Sequence, residues 1–308
     1  MINKLADVGS NHVRYMKFYE NARTAFISYM KTLNFTKDEH VLLPAYIGWS
    51  ANEGSGVFDP IEALGVKYTF YALDKKLYID LNCLKKIFKT KKIKLFVIIH
   101  YFGFVDPSYE EAVSLARKYD IKILEDEAHA LYTDFVGGAS GRLGDACIFS
   151  LHKMLPVNRG GMLCINNQRQ TSLCQRNGIE SITSPFCYDL FEISKKRLEN
   201  TKIITDSLKN YTDIVRPLRT EIKRGEIPQT YPIIINKGSR DQLYELMNRS
   251  GFGVVSLYHT MIDQISKKEF PNSDFISKRI LNLPVHQDAD QEELKNMIGT
   301  LTQLISSY

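Results

Sequence analysis

No run of apolar residues in this sequence approaches the ~20 that a helix needs to cross a bilayer. The N-terminal segment MINKLADVGS also lacks the apolar core of a secretory signal, so we expect a cytoplasmic protein. Five cysteines occur, but they are widely spaced and none forms a Cys-x-x-Cys pair. This spacing disfavours a zinc or redox site and predicts buried, reduced thiols. The glycines at 54 and 56 lack the third glycine of a dinucleotide-binding loop, which indicates a turn.

Charge of neither sign dominates: 40 lysines and arginines oppose 35 aspartates and glutamates, a formal net charge of +5. The densest basic run, residues 85–94 (KKIFKTKKIK), has apolar residues at helical spacing between its lysines. This pattern predicts the solvated end of a helix and does not favour a nucleic-acid partner. With 44% hydrophobic and 24% charged residues in 308, the composition is that of an ordinary globular protein.

Residues 1–165 alternate between short apolar segments and amphipathic ones. The apolar segments are 41–46 (VLLPAY), 67–73, 95–103, 121–126, 146–151 and 161–166. Helical spacing of apolar residues occurs between them, at 21–33, 81–89 and 109–120. Strands without polar alternation, separated by helices, are typical of a sheet that is covered on both faces. The sequence therefore predicts an α/β fold with a mostly parallel central sheet flanked by helices.

The pattern changes beyond Asn166. A long charged helix is predicted at 189–211, and a terminal helix is predicted from about Gln291. Between them lie β-type segments at 231–236, 254–258 and 280–285, and a helix around 241–249. These elements predict a smaller α+β domain. We place the boundary where this pattern changes, which gives a large domain, 1–170, and a C-terminal domain, 171–308. No linker sequence marks the boundary.

Side chains capable of chemistry follow two neighbouring apolar segments. One segment ends at Asp126, with His129 just beyond it, and another ends at Ser150, with Lys153 shortly after. In an open parallel sheet, ligands bind outside the carboxyl ends of the strands. Each residue alone has a plainer explanation, such as a helix cap, a turn, a core histidine or a solvent-facing lysine. Together they predict one site at one edge of the sheet.

These residue types match the needs of pyridoxal phosphate. The aldehyde of this cofactor forms a Schiff base with a neutral lysine amine. The pyridine nitrogen must stay protonated, which requires an ionised carboxylate beside it. The phosphate binds to backbone amides at a helix start and to a hydroxyl. Asp126 and Lys153 each follow a buried strand, which allows both to reach one ring.

The sequence resembles the DegT/DnrJ/EryC1/StrS sugar aminotransferases, which belong to fold type I of the pyridoxal phosphate enzymes. The segments that carry the resemblance are VLLPAY with the later Ala-Leu-Gly, IIHYFGFVDP, ILEDEAHALYTDFVGGASGRLGDACIFSLHK with GGMLCIN, and ISKRILNLPVHQ. The resemblance implies a homodimer that uses pyridoxal phosphate as cofactor. It also implies transfer of an amino group from L-glutamate to a keto group of a nucleotide-linked sugar, with no nucleic-acid or membrane partner.

The resemblance further implies roles for individual residues. Lys153 matches the lysine that forms the internal aldimine and then moves the proton, and Asp126 matches the partner of the pyridine nitrogen. His129 matches the residue close to the 3′-hydroxyl of the cofactor. Ser150 matches a phosphate-binding hydroxyl, and Trp49 falls near the position of an aromatic residue that stacks on the ring. No metal ligand is implied.

The phosphate site is implied by the segment NARTA, residues 21–25, which matches the family's helix start. In the family, the backbone amides of this segment hold the phosphate, so Ala22 and Arg23 are candidate cofactor-binding residues. Arg23 replaces a small residue of the family pattern. The family's asparagine-bearing segment, which reaches the phosphate of the neighbouring subunit, has no clear counterpart in this chain.

One departure from the family pattern leaves alternatives open. The family commonly places its serine and lysine five residues apart, whereas Ser150 and Lys153 are three apart. Some relatives dehydrate the sugar and carry histidine in place of the lysine, and His152 lies beside Lys153. A sugar dehydratase is therefore one alternative to an aminotransferase. The other is a non-catalytic protein on the same scaffold.

Overall fold

The computed structural model describes residues 14–166 and 184–306. Its central sheet has seven strands in the order β1-β7-β6-β5-β4-β2-β3. Strands β2 to β6 are mutually parallel, while β7 runs antiparallel between β6 and β1. The strands are Tyr15–Tyr19 (β1), His40–Pro44 (β2), Lys67–Tyr71 (β3), Ile93–Ile99 (β4), Lys122–Asp126 (β5), Ala146–Ser150 (β6) and Gly161–Ile165 (β7). The prediction of a mostly parallel sheet is confirmed.

Sequence periodicity located six of these strands but not β1. Burial explains why: β4 to β7 are almost wholly buried, so they consist of continuous apolar residues, whereas Tyr15 and Met16 at the start of β1 are exposed. An edge strand of this kind gives no uninterrupted apolar signal.

Helices cover the large sheet. They are Ala22–Thr32 (α1), Asp59–Leu64 (α2), Leu81–Thr90 (α3), Tyr109–Arg117 (α4) and Leu131–Phe135 (α5). In α3, Leu84 and Phe88 are buried while the lysines of the basic run at 85–94 remain mostly exposed. The basic run is therefore the solvated face of a helix, as its spacing predicts.

The C-terminal part of the chain forms a second, three-stranded antiparallel sheet in the order β10-β9-β8. Its elements are Leu190–Leu208 (α6), Val215–Pro217 (β8), Thr230–Ile235 (β9), Arg240–Arg249 (α7), Pro271–Ser277 (α8), Ile280–Pro284 (β10) and Gln291–Ile305 (α9). Apolar residues of β9, β10, α6, α7 and α9 make a core of their own. The predicted boundary between residues 170 and 171 lies outside the described residues, so the division into two domains stays a prediction.

The predicted β-type segment 254–258 is wrong. Only Val255 forms a bridge, to Asn282, and the chain then turns away from the sheet. Gly253 and Tyr258 both have positive φ, at 60° and 61°, and the amide of Leu257 donates to the side chain of Asn282 at 3.0 Å. Leu257 therefore bonds to a side chain where a strand would continue its backbone hydrogen bonds, and the segment forms a loop.

The prediction of buried, reduced thiols is correct for two cysteines and wrong for another. Cys147 and Cys164 are buried, free and directly opposite each other in β6 and β7. Cys83 is half-buried and Cys187 is exposed. Cys174 lies outside the described residues. Among the residues that the structure describes, no helix combines the length and the apolar character needed to traverse a membrane.

The start of α1 is held against the first residue of β7. The side chain of Asn21 caps the helix, because its Oδ1 accepts the amide of Thr24 at 2.9 Å. A Cβ added at Gly161 would lie 2.2 Å from the carbonyl carbon of Asn21 and 2.5 Å from the amide nitrogen of Ala22. Only glycine therefore permits this close approach of strand and helix.

We expect Gly161→Ala to lower the free energy of unfolding by about 1–3 kcal/mol, because the new methyl group must displace the backbone at the start of α1. Urea denaturation measures this change. Gly299→Ala in α9 is a matched control, because no atom lies within 4 Å of the added carbon and alanine favours a helix. Equal stability of the two variants would contradict the close-approach argument.

Candidate active site

A cavity of about 230 Å³ opens where β5 and β6 end and α1 begins. The structure brings all of the predicted site residues to the wall of this cavity, namely Ala22, Arg23, Trp49, Asp126, His129, Ser150 and Lys153. They come from the turn after β2, the start of α1, the end of β5 and the end of β6. The sheet topology therefore joins segments that are more than a hundred residues apart in the sequence.

Asp126 is the last residue of β5 and is only 5% exposed. Its Oδ1 accepts the amide of Ala128 at 2.9 Å. Burial raises the pKa of Asp126, while this hydrogen bond and the nearby charge of Lys153 oppose the rise. A cation placed beside the carboxylate would stabilise its ionised form further.

Lys153 faces the cavity from a short 3₁₀ turn, Leu151–Lys153, that follows β6 directly. In such a turn, residues three apart lie above one another, so the spacing of Ser150 and Lys153 directs both toward the same side. Surrounding protein atoms lower the pKa of Lys153 by desolvation, and Asp126 partly offsets that effect. Among the described residues, Lys153 has no ion-pair partner within 4 Å, so its amine is available to a ligand.

His129 forms the inner wall of the cavity and is 3% exposed. Its ring stacks on Phe102 with centroids 5.8 Å apart, and its Nδ1 lies 3.5 Å from the amide of Phe102. Burial, together with the charge of Lys153, lowers the pKa of His129 well below its ordinary value. The imidazole is therefore neutral, and an Nδ1 that accepts from Phe102 leaves the proton on Nε2.

Two amides at the start of α1, those of Ala22 and Arg23, make no hydrogen bond with any described residue. They resemble the free amides with which helix starts bind anions. The guanidinium of Arg23 lies at the same end, where it donates to Asp59 at 3.1 Å and to the carbonyl of Glu53. A cation at a helix start opposes the helix dipole, so this arrangement favours an anionic ligand.

Trp49 is 47% exposed and lies on the cavity wall. Its amide donates to the carbonyl of Thr260 at 2.9 Å, which ties the turn after β2 to the C-terminal part of the chain. The structure therefore brings Trp49 to the cavity that holds the other predicted residues, and its side chain remains exposed.

The sequence analysis did not assign several other residues that line the cavity, among them the polar side chains of Glu53, His152 and Tyr258. Glu53 raises the pKa of Lys153 through its charge, although less than Asp126 does. His152 is the middle residue of the 3₁₀ turn that follows Ser150, and it is exposed. Tyr258 comes from the loop that had been predicted as β-type, so no sequence signal pointed to it.

Behind Asp126 lies a buried network of ionisable groups. Glu125 and Glu127 face away from the cavity, and the Nε2 of His100 donates to Glu125 at 2.8 Å. Glu125 also accepts the amides of Gly141 and Gly144 at 2.8 and 2.6 Å. His100 follows β4, and its backbone amide donates to the carbonyl of Asp126 at 3.1 Å. The network fixes the backbone that carries Asp126, and His100 itself does not line the cavity.

The donor set fits pyridoxal phosphate. The cavity combines an unpaired lysine, a buried carboxylate that a protonated ring nitrogen would stabilise, a neutral histidine and the anion-binding start of a helix. The close approach at Gly161 places that helix start next to Ser150, its neighbour in the β6–β7 pair. The lysine, the carboxylate and the helix start meet the three chemical requirements of the cofactor, which are an amine, an anion for the ring nitrogen and donors for the phosphate.

A family model for the DegT/DnrJ/EryC1/StrS aminotransferases matches residues 12–182 and 188–302. The chain belongs to this family. It is a pyridoxal phosphate-dependent aminotransferase of fold type I, and the predicted family and fold are confirmed. The non-catalytic alternative is thereby set aside.

Relatives of known name are distant from this chain. A UDP-4-amino-4,6-dideoxy-N-acetyl-beta-L-altrosamine transaminase of Campylobacter jejuni is 24% identical over 243 residues, covering 66% of this chain and 64% of its own length. The aminotransferase PseC of Helicobacter pylori, involved in pseudaminic acid biosynthesis, superimposes with a TM-score of 0.79 at 17% identity, over 96% of this chain and 87% of its own. The Escherichia coli GDP-4-keto-6-deoxy-D-mannose-3-dehydratase with bound hydrated pyridoxal phosphate gives 0.73 at 18% identity, over 93% and 87%.

We expect Asp126→Asn to lower the pKa of Lys153 further, because the carboxylate that opposes desolvation is lost. The pH dependence of Lys153 labelling by an amine reagent, followed by mass spectrometry of the cofactor-free protein, measures this pKa. The midpoint should move to lower pH, while exposed lysines in the same digest keep theirs. An unchanged or higher midpoint would show that the two charges do not interact.

Proposed function

We propose that the protein transfers an amino group from L-glutamate to a keto carbon of a nucleotide-linked sugar. The main observation in support is that Lys153 and Asp126 line one cavity. Each shifts the pKa of the other, although no ion pair joins them. When bound, pyridoxal phosphate supplies an aldehyde for the amino group and a ring that stabilises negative charge on the substrate carbon.

In this proposal Lys153 is the catalytic acid and base. Because desolvation lowers its pKa, a larger fraction of the amine is neutral near pH 7 than for an exposed lysine. A neutral amine can attack the aldehyde and accept a proton from the substrate, and the resulting ammonium can return that proton. Asp126 would hold the ring nitrogen of the cofactor in its protonated form, and the N–H at Nε2 of the neutral His129 would be available as a hydrogen-bond donor to the cofactor.

The sugar and nucleotide parts of the substrate lie outside the cavity in this proposal. Its volume of about 230 Å³ is below the 300–1,000 Å³ of typical ligand pockets, so little space remains beside the cofactor. The exposed face of Trp49 extends the site toward solvent. The name of the Campylobacter relative, a UDP-sugar transaminase, supports a nucleotide-linked substrate. We propose a homodimer in which a second subunit covers the open side, as the family resemblance implies.

A sugar dehydratase is the remaining alternative, because His152 also lines the cavity and a dehydratase is among the structural neighbours. Lys153 argues against it, since dehydratases of this family carry histidine in place of the lysine. The two reactions give different products: amino transfer releases 2-oxoglutarate from L-glutamate, whereas dehydration releases none.

Lys153→Ala should abolish the lysine-dependent visible absorbance of the bound cofactor and lower turnover by about a thousandfold or more, because both the nucleophile and the proton carrier are lost. Turnover is measured as 2-oxoglutarate released from L-glutamate with a panel of nucleotide-linked ketosugars. Lys295→Ala, on the exposed face of α9, is a control that should keep both signals. Retention of absorbance and turnover in Lys153→Ala would refute the assignment, and ketosugar consumption without 2-oxoglutarate would favour the dehydratase.

Arg23→Gln should weaken pyridoxal phosphate binding about tenfold or more, because a charge-assisted contact to the phosphate is lost. Binding of pyridoxal, which has no phosphate, should change less than about twofold. Fluorescence titration of the cofactor-free protein measures both affinities. Arg249→Gln, an exposed change on α7, is the matched control. Equal weakening for both ligands would mean that Arg23 supports the fold and does not contact the phosphate.

A further inference from the structure

A loop of the C-terminal part of the chain enters the active site of the large sheet. Its backbone is joined to the turn after β2 by two hydrogen bonds, from the amide of Trp49 to Thr260 at 2.9 Å and from the amide of Ile262 to Ile47 at 3.1 Å. Gly48 and Met261 form an antiparallel bridge between the same two segments. The loop is therefore fixed in place next to the cavity.

Tyr258 occupies the inner part of this loop under strain. Its φ of 61° lies in the left-handed region, which a bulky non-glycine residue rarely adopts. Residues held in this way persist only where the surrounding structure compensates, and they cluster at functional sites. A Cβ added at Gly48 would lie 2.7 Å from Cδ1 of Tyr258, so glycine is needed at 48 for the ring to fit.

The ring of Tyr258 belongs to an aromatic cluster beneath the cavity. Its centroid lies 5.3 Å from that of Tyr46, 5.5 Å from Tyr101, 5.9 Å from Phe102 and 5.7 Å from His129. Tyr258 makes an edge-to-face contact with the imidazole of His129, on which Phe102 also stacks. Orientation of the ring by four neighbours leaves its hydroxyl at a defined position.

The hydroxyl of Tyr258 is a donor without an acceptor among the described residues. No hydrogen bond joins this hydroxyl to any residue in 14–166 or 184–306, and Tyr258 lines the cavity together with Lys153 and Asp126. Burial and the charge of Asp126 raise the pKa of Tyr258 well above its ordinary value, so the phenol keeps its proton. A protonated hydroxyl beside a ligand cavity can donate a hydrogen bond to an oxygen of the ligand.

We propose that Tyr258 is a further ligand-binding residue of this active site, whose hydroxyl donates a hydrogen bond to an oxygen of the molecule bound beside Lys153. This inference rests on the proposed function. Two sources can supply the oxygen: the ring oxygen of the cofactor, or the carboxylate or keto oxygen of a substrate. The C-terminal part of the chain thus contributes directly to the site that the large sheet builds.

The test compares Tyr258→Phe with Tyr46→Phe in the cofactor-loaded enzyme. Both variants keep the aromatic ring and lose one hydroxyl of the same cluster. The hydroxyl of Tyr46 is buried without a partner and does not line the cavity, so Tyr46→Phe should leave ligand binding unchanged. Tyr258→Phe should weaken one ligand about tenfold.

The affected ligand identifies the source of the oxygen. A higher dissociation constant for pyridoxal phosphate assigns the contact to the cofactor. A higher KM for L-glutamate or for the ketosugar, with unchanged cofactor affinity, assigns it to that substrate. If Tyr258→Phe matches Tyr46→Phe in all three measurements, the inference is overturned. Failure of the proposed function would look different, because the wild-type protein itself would then release no 2-oxoglutarate from L-glutamate with any ketosugar of the panel.

A second pair of variants tests the placement of the ring. Gly48→Ala should weaken the same ligand, because the added methyl group displaces Tyr258 from the cavity. In a Tyr258→Ala background the same change should have little further effect, since the ring is already absent. Additive losses in the double variant would show that Gly48 acts independently of Tyr258 and would contradict the proposed placement.

Discussion

The active site depends on two opposite charges that share one cavity without forming an ion pair. Asp126 lies at the end of β5 and Lys153 lies one 3₁₀ turn beyond β6, and each shifts the pKa of the other through space. Burial alone disfavours both charges. A ring with a cationic nitrogen at one end and an aldehyde at the other would satisfy both, which is why the cavity fits this cofactor.

Strand β5 separates that site from a second ionic layer. Because side chains alternate along a strand, Asp126 faces the cavity while Glu125 and Glu127 face the opposite side. There, Glu125 accepts donors from His100, from Tyr109 and from backbone amides near Gly141. A buried carboxylate with this many donors is held rigidly, and it transfers that rigidity to its neighbour Asp126 through the strand.

The loop at Tyr258 makes the C-terminal part of the chain a structural partner of the site. Its backbone bonds to residues 47 and 49, and its ring packs on His129. The positive φ of Tyr258 has an energetic cost of order 1–3 kcal/mol, which the aromatic contacts and the backbone bridge offset. A mutation in this loop would therefore affect the cavity even though the loop is far from Lys153 in the sequence.

The sequence by itself determined the class of fold and six of the seven strands of the large sheet, and it named seven residues that the structure brings to one cavity. It could do so because buried parallel strands consist of continuous apolar residues, and because Asp126, Ser150 and Lys153 directly follow such strands. Only the tertiary structure revealed three features: the exposed strand β1, the contact between the start of α1 and Gly161, and the presence of Tyr258 in the cavity wall. These depend on the close approach of segments that are distant in sequence, and local periodicity carries no information about such contacts. The three-residue spacing of Ser150 and Lys153 was likewise explained only by the 3₁₀ turn that presents both side chains to one cavity.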